Sequence, residues 1–322
     1  MKLMSKILIV TQDSGDPHIQ AVQKELTNFG ESPVIFKRYA EGHYLSYLFD
    51  QTEARLSISI DEEDNQLSSD AIKSVFWRPK PILQPETLGE AGTVNERFRM
   101  YEWRLALHAL SDFCENSKWI NSINSTKRIM SKATQLRMAL KNGLLIPKGI
   151  ISNSSSDVCA HLSASDKIIY KTLSSFMTYQ SVIYTTKTDL DEIKSQQQAV
   201  FLAPGIYQEE IDKKYELRVI VVGEQVFTVK IDSQRLMETR VDWRKNQTKD
   251  IMSPFELSEN TQKKLLAFHK DANLEYCAYD FIVNKHGEEI FLEANPSGQW
   301  LFLCDEVATK ISNVIAMSLI GK

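Results

Sequence analysis

The chain has 322 residues, 43% hydrophobic and 25% charged, with a formal net charge of −4. That length holds roughly two or three compact units with a sizeable core, and the mildly acidic balance leaves no electrostatic footprint for a nucleic-acid partner. No apolar run approaches a membrane span, and the run 7–10 stops at Thr11-Gln12-Asp13, too short for a signal-peptide core.

The run 7–10 predicts a buried strand. Pro17 opens a helical pattern through Ile19, Val22, Leu26 and Phe29 that stops at Gly30. Strands are expected at 34–36, 56–60 and 72–77, and a long helix over 95–116. A strand–helix–strand start of this kind predicts a small α/β domain with a partly parallel sheet, ending near 118. A second unit, 119–203, holds a helix over 126–142 capped by Gly143, strands at 168–171 and 181–186, and a polar helix at 188–198. A third, 204–322, holds strands at 217–222, 225–231, 278–283 and 289–294, a helix over 258–272 and a closing helix over 307–320. Cys114, Cys159, Cys277 and Cys304 form no C-x-x-C pair and read as reduced thiols of a cytoplasmic protein.

The most informative stretch is 278–300. Two apolar strands flank a turn at His286-Gly287. With that two-residue turn Lys285 faces Glu288, Phe281 faces Leu292 and Asp280 faces Glu293. Asn295 shares the Glu293 face because strand side chains alternate. Two carboxylates so close repel unless a cation or proton lies between them, and hard oxygen donors of this kind suit Mg²⁺ with phosphate oxygens. The plain alternative is the solvated face of an edge hairpin. No P-loop and no G-x-S-x-G pattern is present.

Several residues stand in a telling order: Lys132 early in a helix, Lys171 at a strand end before a small-residue loop, Glu209-Glu210-Ile211, Glu216-Leu217-Arg218, then Asp280, Glu293 and Asn295. This order resembles the ATP-grasp fold, in which ATP lies between two α+β subdomains, here preceded by an N-terminal α/β domain. Phe76-Trp77-Arg78-Pro79, Asp242-Trp243-Arg244 and the string Asn295-Pro296-Ser297-Gly298-Gln299-Trp300 resemble the microviridin-type (graspetide) peptide macrocyclases. The resemblance implies ATP and Mg²⁺ as cofactors. Lys132 and Lys171 would meet the phosphates, the backbone of 209–211 the adenine edge, and Glu216 the ribose. Asp280, Glu293 and Asn295 would hold the metal.

Arg218, Arg235 and Arg244 remain as candidates for the substrate carboxylate and its acyl phosphate, anions that suit a guanidinium fork. The plain alternatives are a surface ion pair for Arg218, a surface strand residue for Glu216 and a solvated loop for 232–250, otherwise read as a lid. By resemblance the enzyme activates Glu or Asp side chains of a ribosomally made precursor peptide and joins them to Ser or Thr hydroxyls or Lys amines. The family further implies a homodimer. Two other readings stay open: a RimK-like ligase adding an amino acid, and a nucleotide-binding module without turnover.

Overall fold

The computed structural model describes residues 5–12, 15–38, 40–61, 66–78, 94–173, 185–235, 237, 243 and 248–322. Arg244, Asp242, Pro79 and most of the strand expected at 181–186 lie outside them.

The first sheet is parallel, in the order Val34–Lys37, Lys6–Thr11, Ile72–Arg78 and Lys118–Ile120. Ile7, Leu8, Ile9 and Val10 are all buried, as a strand covered on both faces requires. The helix Pro17–Asn28 carries proline in its first turn, and Asp16 caps it by accepting from the His18 amide at 2.9 Å. Gly30, at φ +79°, takes the left-handed turn that ends it. The last strand of this sheet ends at Ile120. A three-stranded antiparallel sheet, His43–Phe49, Ala54–Ile60 and Leu67–Ser68, stands beside it. Its first strand was not expected. The run His-Tyr-Leu-Ser-Tyr-Leu-Phe alternates between half-buried and exposed, too weak an apolar pattern to announce a strand.

A second antiparallel sheet runs Thr186–Thr188, Ile168–Lys171, Gly205–Glu209 and Gly149–Ser152. The third is the largest among the described residues, in the order Met252–Phe255, Gln225–Ile231, Lys213–Val222, Tyr276–Asn284 and Glu289–Asn295. The helix expected over 126–142 is two helices, Ile123–Met130 and Lys132–Lys141. Extended backbone at Ser131 breaks it, and the Ser131 hydroxyl accepts from the Thr134 amide to cap the second helix. Lys132 therefore occupies a helix start.

The closing helix, Asp305–Ile320, joins the first and third sheets into one core. Val307, Ile311, Ile315 and Leu319 pack with Ile9 and Phe76 from the first, with Ile19 of the helix Pro17–Asn28, and with Ile220, Val222 and Ala278 from the third. The opposite face of the third sheet packs Leu217, Val219, Phe281 and Phe291 against Leu265 and Phe268 of the helix Glu259–Asp271. Residues 217, 219 and 221 of the central strand thus face one core, and 216, 218, 220 and 222 the other. The second face is apolar at Ile220 and Val222 and becomes charged at Arg218 and Glu216.

Candidate active site

The charged end of that face carries a row across three strands. Arg218 lies opposite Asp280, and Asp280 opposite Glu293. Arg218 donates from Nη1 to both Asp280 oxygens, at 2.9 and 3.1 Å. Beyond Glu293, Lys132 places Nζ 2.5 Å from Oε2. The sequence of charges is plus, minus, minus, plus, so each carboxylate of the central pair has a cation of the chain beside it. Burial alone would disfavour the Arg218 charge, but Asp280, Tyr276 and Glu293 together outweigh it and raise the pKa. The ion pair anticipated as a plain alternative for Arg218 exists, but it is buried, with side-chain exposures of 7% and 13%.

The hairpin reaches the expected Asp280–Glu293 pairing by a different route. Asn284 and Glu288 bracket a three-residue loop in which Gly287 has φ +84°, the usual form of a three-residue hairpin. Phe281 consequently faces Phe291, not Leu292. A bulge at Leu292 then shifts the register by one and restores Asp280 to Glu293.

Glu216 is buried, not a surface residue, and Lys213 donates to its Oε1 at 2.6 Å. Burial pushes its pKa up, Lys213 and the Ser233 hydroxyl pull it partly back, and the Asp280 charge adds to the rise. Lys213 had no role in the sequence reading; its place three residues before Glu216, across an irregularity of the strand, hides the pairing from any simple period. Asn295 follows Glu293 on the same face, is exposed, and accepts from the Ser297 amide at 3.1 Å. The two carboxylates at the centre of the row and this amide, two residues on from Glu293, form a hard oxygen set, chemistry that fits Mg²⁺. Among the described residues no group of three or more His, Cys, Asp or Glu gathers as a metal centre, so the fit rests on this mixed set.

The other candidates are dispersed. Lys171 is half-buried at the end of its strand in the second sheet, paired with Ile206. Glu209 ends the neighbouring strand, with its amide bonded to the Lys148 carbonyl, and the Glu210 amide donates to Lys167 O at 2.9 Å. The Glu210 side chain pairs with Lys187 at 2.6 Å, and Ile211 is half-buried. Arg235 is exposed in the loop after Ile231, and Arg244 lies outside the described residues. Between them, Trp243 is buried against Phe302, whose ring lies 5.8 Å from the Arg218 guanidinium.

The 295–300 string supports the row from beneath. Gln299 O accepts from Arg218 Nη2 at 3.1 Å, and Gly298 O accepts from the Tyr276 hydroxyl at 2.8 Å. Burial raises the Tyr276 pKa, which keeps that hydroxyl a donor. Trp300 is fully buried and donates from Nε1 to the Ser312 hydroxyl at 2.9 Å. Two amides the sequence did not single out hold the same region. Asn121 donates to Tyr276 O and Pro296 O, and Gln135 bridges the amide and carbonyl of Ala294.

A family model described as a RimK-like ATP-grasp domain matches residues 130–319. The chain belongs to the RimK-like ATP-grasp family. ATP-grasp enzymes use ATP, and the family assignment makes this chain an ATP-grasp ligase. Solved structures extend the likeness over the N-terminal sheet. A RiPP-associated ATP-grasp ligase from Chryseobacterium gregarium, in complex with ADP and a leader and core peptide, matches with a TM-score of 0.84 at 25% identity, over 98% of this chain and 97% of that one. The macrocyclase MdnC of Microcystis aeruginosa MRC, bound with precursor peptide MdnA, matches at 0.82 and 27%, over 98% and 100%. The ATP-grasp ligase PsnB, complexed with minimal precursor, Mg and ADP, shares the fold at 0.74 and 20%, over 97% of each chain. The resemblance of this ATP-grasp ligase to the graspetide macrocyclases, read from its motifs, therefore holds. A comparison with curated proteins gives no match. No helix among the described residues is long and apolar enough to cross a membrane.

Proposed function

We propose that this ligase closes rings in a precursor peptide. It activates a Glu or Asp side chain as an acyl phosphate, which a Ser or Thr hydroxyl or a Lys amine then attacks. The observation that carries the proposal is the whole-chain likeness to two ligases solved with their peptides. The charge row supplies the chemistry. ATP lies between the second and third sheets, with Lys132 and Lys171 against its phosphates, the backbone of 209–211 at the adenine and Glu216 at the ribose. Asp280, Glu293 and Asn295 would hold Mg²⁺, which would offset phosphate charge and orient the transferred group. Arg218, already fixed by Asp280, meets the peptide carboxylate and stabilises its acyl phosphate. Arg235 and Arg244 are the further candidates for the same carboxylate and acyl phosphate.

In this reading the chain divides into 1–118, 119–203 and 204–322, functions as a homodimer and works in the cytoplasm. The peptide's leader docks on the enzyme and holds the core near the row, raising its effective concentration.

Mass spectrometry of the peptide alongside ADP release tests the reaction. Each ring removes one water, about 18 Da, for one ADP, whether the link is ester or amide. Rings labile to mild base identify esters. A peptide that gains one amino-acid residue per ADP overturns ring closure in favour of amino-acid addition.

A further inference from the structure

We propose that Arg78, from the N-terminal sheet, is a positioning residue for Arg218: it holds the Ser297 and Gly298 carbonyls and so sets where the next carbonyl, and with it the Arg218 guanidinium, stands. The inference rests on the reading of Arg218 as the group that meets the peptide carboxylate or acyl phosphate. Arg78 ends the strand Ile72–Arg78 and is buried. Its Nε lies 3.2 Å from Asp16 Oδ2, with side-chain exposures of 8% and 5%. Asp16 is itself fixed, because Oδ1 accepts from the His18 amide at the start of the first helix. The Arg78 guanidinium carbon stands 5.0 Å from the centre of the Trp300 ring, and Trp300 is locked by Ser312.

With its lower edge thus tied, Arg78 points Nη1 at two successive carbonyls, Ser297 O and Gly298 O, both at 3.5 Å. The next carbonyl, Gln299 O, is the one that receives Arg218 Nη2 at 3.1 Å. Two guanidinium groups, 140 positions apart in sequence, therefore grip one turn from opposite sides. Contacts of 3.5 Å are too long for strong hydrogen bonds. What acts is the planar fork: with Nε tied to Asp16, Nη1 presents its charge to both carbonyls at once in a medium that screens little. The fork orients the turn; the turn orients Arg218. Packing on Trp300 alone would need only an apolar side chain, and joining the two sheets would need no charge at this point, since the closing helix already does that.

The test uses the full chain with a non-hydrolysable ATP analogue and a synthetic leader–core peptide rich in Thr and Glu. Arg78→Lys keeps the charge but loses the fork, and is expected to lower kcat for ADP release about tenfold while analogue affinity stays within about twofold. In an Arg218→Lys background the same change is expected to cost less than about twofold, because its route of action is already gone. In protein labelled with ¹⁵N-arginine, the Arg218 Nε–Hε resonance is expected to move in Arg78→Lys. That measurement needs no peptide, so it separates the positioning claim from the reading of Arg218. If Arg218→Lys leaves turnover intact while the resonance still moves, the reading of Arg218 fails and the positioning stands. Equal losses in both backgrounds, or an unmoved resonance, overturn the proposal. Should Arg78→Lys not fold, Asp16→Asn loosens the same guanidinium and is held to the same two outcomes.

Discussion

Gly298 lies directly beneath Arg218: a β-carbon on it would stand 2.8 Å from Nη2, and still closer to the β-carbon of Ala278. No side chain fits between the turn and the third sheet, so glycine is required here by close approach and not by backbone dihedrals. Gly298→Ala must push either the sheet or the guanidinium. The expected outcome is a loss of about 1–3 kcal/mol of stability from overpacking, with a larger proportional loss of ADP release than of ATP-analogue binding. Chemical denaturation and calorimetry check the two halves; unchanged turnover would mean that the turn does not set the position of Arg218.

Glu293→Gln removes one carboxylate from the central pair and leaves Lys132 beside a neutral amide. The Lys132–Glu293 pair is a fifth to a third exposed, so its contribution to stability is small, about 0–1 kcal/mol. Folding is therefore expected to survive with a nearly unchanged melting temperature, while turnover at moderate Mg²⁺ disappears. Near-normal ring formation by this variant would sink the metal assignment.

Arg218→Ala and Lys171→Ala separate two functions. Removing Arg218 strands Asp280 at a buried position and is expected to cost about 3–5 kcal/mol of stability, yet leave binding of an ATP analogue close to wild type in the protein that remains folded. Removing Lys171 is expected to weaken the analogue instead. Isothermal calorimetry reads both, and equal losses of nucleotide affinity would contradict the division.

His269 predicts an acid limit to stability. It is buried against Tyr279, with Nδ1 2.7 Å from the tyrosine oxygen. Burial lowers its pKa from the ordinary 6.5 to about 4, opposed only in part by the Glu275 backbone and charge. The unfolded chain therefore binds this proton more readily than the folded one, so stability is complete above pH 6.5 and falls as pH drops towards 4. Each pKa unit is worth about 1.4 kcal/mol, giving at most about 3 kcal/mol over that window. Urea midpoints between pH 4 and 7 are expected to show this slope in wild type and to lose most of it in His269→Phe; an unchanged slope would place the titration elsewhere.

Local pattern was sufficient for much of this protein. Continuous apolar runs announced Lys6–Thr11, Ile72–Arg78 and Tyr276–Asn284, and the helical period announced Pro17–Asn28 and Glu259–Asp271, because burial on one or two faces imposes those periods on the sequence. Alternation also placed Asp280, Glu293 and Asn295 on one face. It did so despite a misjudged turn, since the longer loop and the bulge at Leu292 cancel.

What tertiary structure alone decided is which charges meet. Nothing in local spacing joins Lys132 to Glu293, Arg218 to Gln299, or Asp16 to Arg78 and Arg78 to Trp300. Those pairings depend on sheet order and on the closing helix that brings the first and third sheets together. Sequence period records whether a side chain faces water or core; it carries no record of the partner, because a buried charge can be satisfied from any strand or helix that the fold brings within hydrogen-bonding distance.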